Sequence, residues 1–354
     1  MRKAIYAADR EAALACLRRQ RFVHLATTDP DGQPILRALH AIVLDDMVAC
    51  HGAAVGEKTL AVGRPAVVSA EEVVAEIPSW FVDPERACPA TTYYESAQVH
   101  GTLRAVDDPA DKARVLAALM SRYQPEGGYA PIDADAPLYR AAVQSIGVLA
   151  VPLTHVTGKR KLGQNRRPAQ LAKILEHLWA RGGPGDVAAI DRVREANPAI
   201  ETPSFLTAPA GARLRCQGRP EDLPGAVALV EHEYWNVGIE ADALARAHMQ
   251  ATAWVVATDE AGEVIATARG LTDGGKVGFV FDVAVAETWR GRGLGLAVVR
   301  LVLDHPAMRR TRQIRLGTRD AQALYRRLGF VSASEVAPWP RYESMVRLQV
   351  RMQA

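Results

Sequence analysis

The stretch from Trp289 to Arg300, WRGRGLGLAVVR, sets Gly291, Gly293 and Gly295 among Arg290, Arg292 and Leu294 and runs straight into an apolar segment. It follows VGFVFDVAV, which alternates like a strand, and opens a segment with helical character. Without Cβ atoms, such a turn bends tightly and aims several backbone N–H groups at one spot. A helix N-terminus adds unpaired donors and a partial positive charge. Arg290 and Arg292 add full charges. These are the requirements for holding phosphate oxygens, so the predicted ligand carries a phosphate or pyrophosphate.

Three nucleotide-binding patterns compete. A P-loop needs G-x-x-x-x-G-K-[ST], and no such Lys or Ser/Thr stands here. A dinucleotide fingerprint needs G-x-G-x-x-G in a βαβ unit; here the glycines are spaced differently and the surrounding strands read as antiparallel. The third is the acyl-CoA loop of the GNAT acetyltransferases, which Arg290, Gly293 and Gly295 resemble in an R-x-x-G-x-G arrangement. A plain glycine-rich turn with solubilising arginines is the remaining alternative. Further along, TRDAQALYRRLGFV (Thr318 to Val331) resembles the second half of the GNAT signature, with HEYWNVG and LDHP as supporting similarities. The resemblance covers about Arg213 to Val350.

That resemblance implies acetyl transfer from acetyl-CoA to an amine: a small molecule, a protein N-terminus or a lysine. The backbone of Val283, Ala284 and Val285 would pair with the pantetheine arm as an added strand does, and Arg290 to Gly295 would hold the pyrophosphate. A neutral amine attacks the thioester, the leaving thiolate needs a proton, and Tyr325 is the candidate acid; a half-buried packing role is its alternative. Asp282 leads as base by position, with an N–H acceptor fixing a loop as the competing role. Glu233 and His232, on an expected helix, are further candidates.

A second set of motifs lies in the first half. LATTDPDGQP, HGAAVGEK (His51 to Lys58), YYESAQVHG (Tyr93 to Gly101) and GKRKLGQNR (Gly158 to Arg166) resemble, in that order, the flavin-binding split barrels related to pyridoxamine phosphate oxidase. The nearest branch holds the nitroimidazole-resistance reductases and Pai-type regulators. The resemblance covers roughly residues 10 to 200 and implies FMN at a homodimer interface. Arg37, Ala38, Leu39 and His40 would run along the flavin, His51 and Gly52 would lie near its phosphate, and Lys58 would be the phosphate's cation. Ser96, Lys161, Gln164 and Asn165 would contact it from the same or the partner chain. The substrate-binding arginine pattern of the oxidases proper is missing, which argues against pyridoxamine phosphate oxidation. A haem, a deazaflavin or an empty barrel stays open, with His40, His51 and His100 as candidate haem ligands. Either the chain has two activities, or the barrel is a ligand-sensing module beside one acetyltransferase.

The elements that must position these residues read as two domains, 1–207 and 208–354, with a helical tail at 168–207. The boundary follows from Pro198, Pro203 and Pro209, which end helical spacing. The first domain is predicted as an antiparallel split β-barrel with flanking helices: a helix at about 9–19, a strand RFVHLATT, two strands in ILRALHAIVLDDMVACHG joined at Asp45-Asp46, strands AVVSAEEVVAEI and YYESAQVHGTLRAV, a helix at about 109–123, and a last strand IGVLAVPLTHVTG. The second is predicted as the mixed α/β acyl-CoA N-acyltransferase fold: helices PGAVALVEHEYWNV and ADALARAHMQ, a three-strand meander, the glycine turn and its helix, strand QIRLGT, helix DAQALYRRLG and a final strand near SMVRLQV.

Composition bounds the rest. The chain has 354 residues, 49% apolar and 23% charged, as in a water-soluble globular protein. Neither a signal-peptide core nor a membrane-spanning run is visible. Cys16, Cys50, Cys88 and Cys216 form no C-x-x-C pair, which points away from zinc and disulfides and toward the cytoplasm. The net charge of +3 concentrates between Arg290 and Arg327, where ten arginines face only Asp304 and Asp320. That suits a polyanionic ligand, while the lack of interleaved aromatics or a helix-turn-helix pattern argues against nucleic acid.

Overall fold

The computed structural model describes residues 4–335, and the strand expected near SMVRLQV lies outside them. The chain divides into two compact units, Met1–Glu201 and Thr202–Ala354.

In the first unit, Asp9 accepts a hydrogen bond from the Ala12 N–H (2.8 Å) and so starts helix α1 (Arg10–Arg19). The helix buries Ala13, Leu14, Cys16 and Leu17. Six strands make the larger antiparallel sheet: β1 (Ala7–Ala8), β2 (Phe22–Thr28), β3 (Pro34–His40), β6 (Pro65–Ile77), β7 (Thr91–Thr102) and β10 (His155–Lys161), in the order β1-β10-β7-β6-β2-β3. The smaller sheet, β4-β5-β9-β8, uses β4 (Ile42–Leu44), β5 (Met47–Ala53), β8 (Arg104–Ala105) and β9 (Ile146–Pro152). Short α2 (Glu57–Leu60) follows β5, α4 (Arg140–Ser145) precedes β9, and α3 (Pro109–Tyr123) covers the smaller sheet with Val115 and Leu119 against Ala49, Val148 and Ala150.

Two expected strands divide differently. The run 35–52 turns at Asp45, as expected, but also breaks at Ala41, which puts β3 in one sheet and β4 in the other. The run 146–158 likewise splits at Leu153-Thr154 into β9 and β10. Chain that passes from one sheet to another at a barrel corner keeps its apolar alternation, so the pattern does not mark the corner.

The larger sheet buries Val23, Leu25, Ile35, Val68, Ala97 and Val99 on one face. Its other face stays open: Phe22, Leu36 and Val73 are each more than half exposed, and Ser96, Lys159 and Lys161 lie on it by alternation. Helices α5 (Pro168–Arg181) and α6 (Asp186–Ala196) form the tail. Arg192 of α6 reaches Glu72 and Glu95 (2.5 Å each), which also receive Arg19 (3.0 and 2.6 Å) and, at Glu95, Arg160 (2.7 Å).

In the second unit, β11 (Arg213–Arg215), β12 (Ala253–Thr258), β13 (Val264–Thr272), β14 (Val277–Val285) and β15 (Gln313–Arg315) make one sheet in sequence order. All pairs are antiparallel except β14 with β15. On one face, α7 (Leu223–Val230) and α8 (Ala241–Met249) bury Val227, Val230 and Leu244 against Ala284. On the other lies α9 (Leu294–Asp304), and a Cβ at Gly270 would come within 3.0 Å of its Val302. Short α10 (Gln322–Arg326) is the last described α-helix. No helix among the described residues is long and apolar enough to cross a membrane.

Candidate functional site

Strands β14 and β15 pair only at Val277–Phe279. From Val280 to Val285, β14 keeps β13 on one side and has no described strand on the other. That leaves an open backbone edge at Val283, Ala284 and Val285. The chain then turns through Glu287–Trp289 into the glycine stretch, where Gly291 (φ +77°) and Gly293 (φ +87°) both take left-handed conformations. Gly293 is the N-cap of α9, and no side chain caps that end, so the first amides of the helix remain available. A Cβ at Gly291 or Gly293 would meet nothing within 4 Å. At Gly295 it would lie 3.2 Å from Leu324 Cδ1 and 3.6 Å from Val285 Cγ2. The first two glycines thus serve the turn and the space before it, and the third lets α10 and β14 approach α9. Leu294 is buried. Arg290 Nε donates to the Val285 carbonyl (3.2 Å), its far end lies 3.7 Å from Glu233, and Arg292 stacks over Trp289 (4.7 Å).

Tyr325 is buried on α10. Gly329 (φ +84°) folds the chain back so that Phe330 meets the Tyr325 ring edge-on at 5.8 Å. Burial, then Tyr234 and Asp320, push its phenol above the usual tyrosine range, so it holds its proton at neutral pH.

Asp282 occupies a β-bulge. Thr267 faces Ala284 and Arg269 faces Phe281, leaving an extra residue on β14, and Asp282 takes φ +50° there. Its side chain is buried and receives Arg269, the Trp235 indole N–H (3.2 Å) and the Asn236 amide (3.3 Å). Three donors on one buried carboxylate are the arrangement of an anchor. Glu233 and His232 are not on a helix as expected: α7 ends at Val230, and both lie in the following turn. Arg269, Trp235, Asn236 and His248 belong to the surroundings of Asp282; Trp235 and Asn236 lie in the HEYWNVG stretch, while the sequence gave no sign of Arg269 or His248. His248 is buried with Nδ1 2.8 Å from the Leu244 carbonyl, and burial lowers its pKa.

In the barrel, Lys58 on α2 lies directly over Gly52, where a Cβ would stand 2.5 Å from its Nζ. A side chain at position 52 would push the Lys58 ammonium aside, and no carboxylate pairs with Lys58 among the described residues. Burial first, then Lys58 and His40, lower the His51 pKa and keep its ring neutral. Arg37 reaches forward to Glu57 at the start of α2, and His40 packs between Phe22 (4.1 Å) and Tyr123 (4.9 Å). The structure therefore gathers β3, the end of β5 and α2 into one region.

The second barrel group lies elsewhere. Ser96 faces Lys159 across β7 and β10, and Lys161 Nζ bonds the Thr91 hydroxyl. Gln164 is spent on its own loop, accepting from the Leu162 N–H (2.8 Å) and donating to the Arg160 carbonyl (2.7 Å). Asn165 is exposed. No hydrogen bond or ion pair among the described residues joins this group to the Lys58 region within one chain. His100 faces His155 across the same two strands, rings 5.2 Å apart.

Residues 9–160 match the family model described as pyridoxamine 5'-phosphate oxidase, and residues 223–330 match that of the acetyltransferase (GNAT) family. The chain is a fusion of a pyridoxamine-phosphate-oxidase-like split barrel, a fold of the flavin-binding kind, with a GNAT acetyltransferase domain. Similar solved structures include the FAD and heme binding protein from Mycobacterium smegmatis (23% identical, covering 44% of this chain and 72% of that one, TM-score 0.37). Another is a Bacteroides thetaiotaomicron protein assigned to 5-nitroimidazole antibiotic resistance (17%, 43% and 85%, 0.34). A third is a Xanthomonas campestris protein assigned as a GNAT-family acetyltransferase (23%, 38% and 96%, 0.33). No curated protein matches the chain.

Proposed function

We propose that the second unit transfers the acetyl group of acetyl-CoA to a primary amine, and that the barrel binds FMN as a homodimer. The observation that carries the first reading is the open edge of β14 running into the uncapped, left-handed glycine turn of α9. The backbone of Val283 to Val285 pairs with the pantetheine arm, and the turn from Arg290 to Gly295 holds the pyrophosphate. The amine lone pair then attacks the thioester carbon. A C–N bond forms, the C–S bond breaks, and the proton lost by nitrogen is balanced by one gained at sulfur. Tyr325 supplies that proton and recovers its own from solvent. Asp282 is assigned to hold the bulge and the Arg269 side chain, since its oxygens already have three donors.

For the barrel, Lys58 over Gly52 is a cation without a carboxylate partner among the described residues, beside a neutral His51, which fits a flavin phosphate. FMN would supply two-electron redox chemistry. This chain's residues bind its phosphate through Lys58 and Gly52 and line it with Arg37 to His40. The open face of the larger sheet, with Phe22, Leu36 and Val73 uncovered, supports a second copy as its cover and Ser96 and Lys161 as contacts contributed across it. Four cysteines far apart in sequence, with no C-x-x-C pair, support a cytoplasmic setting.

Measurements on the whole protein test both readings. Calorimetric titration with acetyl-CoA and thiol release in the presence of amines test the transferase; no binding overturns it. Uptake of added FMN, with mass in solution by light scattering, tests the barrel. A monomer without flavin overturns that reading, and bleaching of the bound flavin by NAD(P)H separates an oxidoreductase from a binding module.

A further inference from the structure

On the α7/α8 side of the sheet, the first half of β14 is left uncovered. Phe279 and Phe281 stack at 5.8 Å and 22°, 39% and 38% exposed. Leu271 and Arg269 stand directly across from them on β13, and the Arg269 guanidinium sits 4.9 Å from the Phe281 ring. Arg269 pairs with Asp282, Asp282 accepts from Trp235, and Trp235 meets Tyr234 edge-on at 4.8 Å. Arg319 covers the Tyr234 ring at 4.0 Å and donates its backbone N–H to the Tyr234 hydroxyl (3.0 Å). Trp235 and Tyr234 are themselves 39% and 37% exposed. Four aromatic rings, each more than a third open to solvent, thus flank the buried Asp282–Arg269 pair, Phe279 and Phe281 on one side and Trp235 and Tyr234 on the other. Val283, whose backbone is proposed to pair with the pantetheine arm, is the next residue after Asp282.

We infer that this surface is the acceptor subsite and that the acceptor is a monoamine carrying an aromatic ring on a short carbon chain, an aralkylamine; the inference rests on the acetyltransferase reading above. Rings left exposed on both sides of a buried ion pair mark a ligand surface, and offset or edge-on stacking on Phe279, Phe281 and Trp235 rewards a flat aromatic body. Charge decides between amines. The one buried carboxylate at the site, Asp282, is already neutralised by Arg269. Arg319 adds a guanidinium that has no carboxylate partner among the described residues. A polyamine would bring a second ammonium beside the Arg269 and Arg319 guanidinium groups, which is repulsive, and the nearby Glu233 faces Arg290 (3.7 Å). A monoamine brings one amino group to the Asp282 end and lays its ring over Phe281.

The test measures thiol release from acetyl-CoA by the whole protein with 2-phenylethylamine, spermidine and a lysine-containing peptide. The inference expects kcat/KM for 2-phenylethylamine to exceed that for spermidine by at least about tenfold. Phe281→Ala should raise KM for 2-phenylethylamine by about tenfold while acetyl-CoA affinity stays put. Phe281→Leu keeps the apolar volume without the ring, and serves if the alanine variant does not fold. Arg319→Glu should shift the ratio toward spermidine. Preference for spermidine or the peptide, or an unchanged KM in the Phe281 variants, overturns the aralkylamine assignment while leaving the transferase intact. Failure of acetyl-CoA to bind overturns the transferase reading itself, and this inference with it.

Discussion

Gly293→Val separates the turn's backbone role from its ligand role. Gly293 has φ +87°, and a Cβ there would meet nothing within 4 Å. The free protein therefore loses only backbone comfort: a β-branched residue in the left-handed region costs about 1–3 kcal/mol. For a unit of this size each kcal/mol lowers Tm by about 2–4 °C, so the unit should remain folded with a modest loss. The ligand loses much more. The new side chain fills the space before the α9 amides, where the pyrophosphate is placed. Losing two charge-assisted hydrogen bonds at about 1.5–3 kcal/mol each weakens acetyl-CoA binding by about 10²- to 10⁴-fold. Calorimetric titration at fixed ionic strength reads the affinity, and thermal unfolding without ligand reads the strain. A folded variant with wild-type acetyl-CoA affinity would refute the placement. Gly295→Ala gives the contrast: its Cβ presses on Leu324 at 3.2 Å, so it should disturb α10 and turnover more than affinity.

Tyr325→Phe should lower kcat by about 10²-fold with acetyl-CoA affinity unchanged; equal turnover when chemistry limits the rate reduces Tyr325 to packing. Lys58→Ala should release FMN, read by absorbance after gel filtration, while the barrel stays folded and acetyl transfer continues; full retention of flavin removes Lys58 from the phosphate. Asp282→Asn leaves Arg269 without its buried partner and should cost about 3–5 kcal/mol of stability, and an unchanged unfolding curve would show that the ion pair does not hold the bulge. Burial raises the Glu72 and Glu95 carboxyl pKa values, but Arg192 with Arg19 and Arg160 outweighs it, so both end lower than usual. Their folded values lie below the unfolded value of about 4.3. Their stabilisation is complete above that value and is lost as pH falls through the folded values. Thermal unfolding of the wild type should therefore weaken steeply below about pH 4.3, and Arg192→Ala should flatten that slope; parallel curves for the two proteins would contradict the network.

Much of the fold was legible because the signals are local. The helices expected at about 9–19 and 109–123 are Arg10–Arg19 and Pro109–Tyr123, started by Asp9 and Asp108, whose side chains accept from Ala12 and Asp111. Alternation marked β2, β6 and β14, and the order of the two motif sets pointed to a split barrel followed by a GNAT fold. The strand breaks at Ala41 and Leu153 were not legible, because a strand buries alternate residues in the same way in either sheet of a barrel. The bulge at Asp282 was hidden for a related reason. One inserted residue moves the helix-facing positions of β14 from Phe279 and Phe281 to Ala284, and alternation read without the partner strand assigns the wrong parity beyond it. Period and capping arise within a few residues of chain and are written there. The pairing of Asp282 with Arg269, the placing of Lys58 over Gly52 and the exposure of four rings around the Asp282–Arg269 pair depend on neighbours distant in sequence, so only tertiary packing decided them.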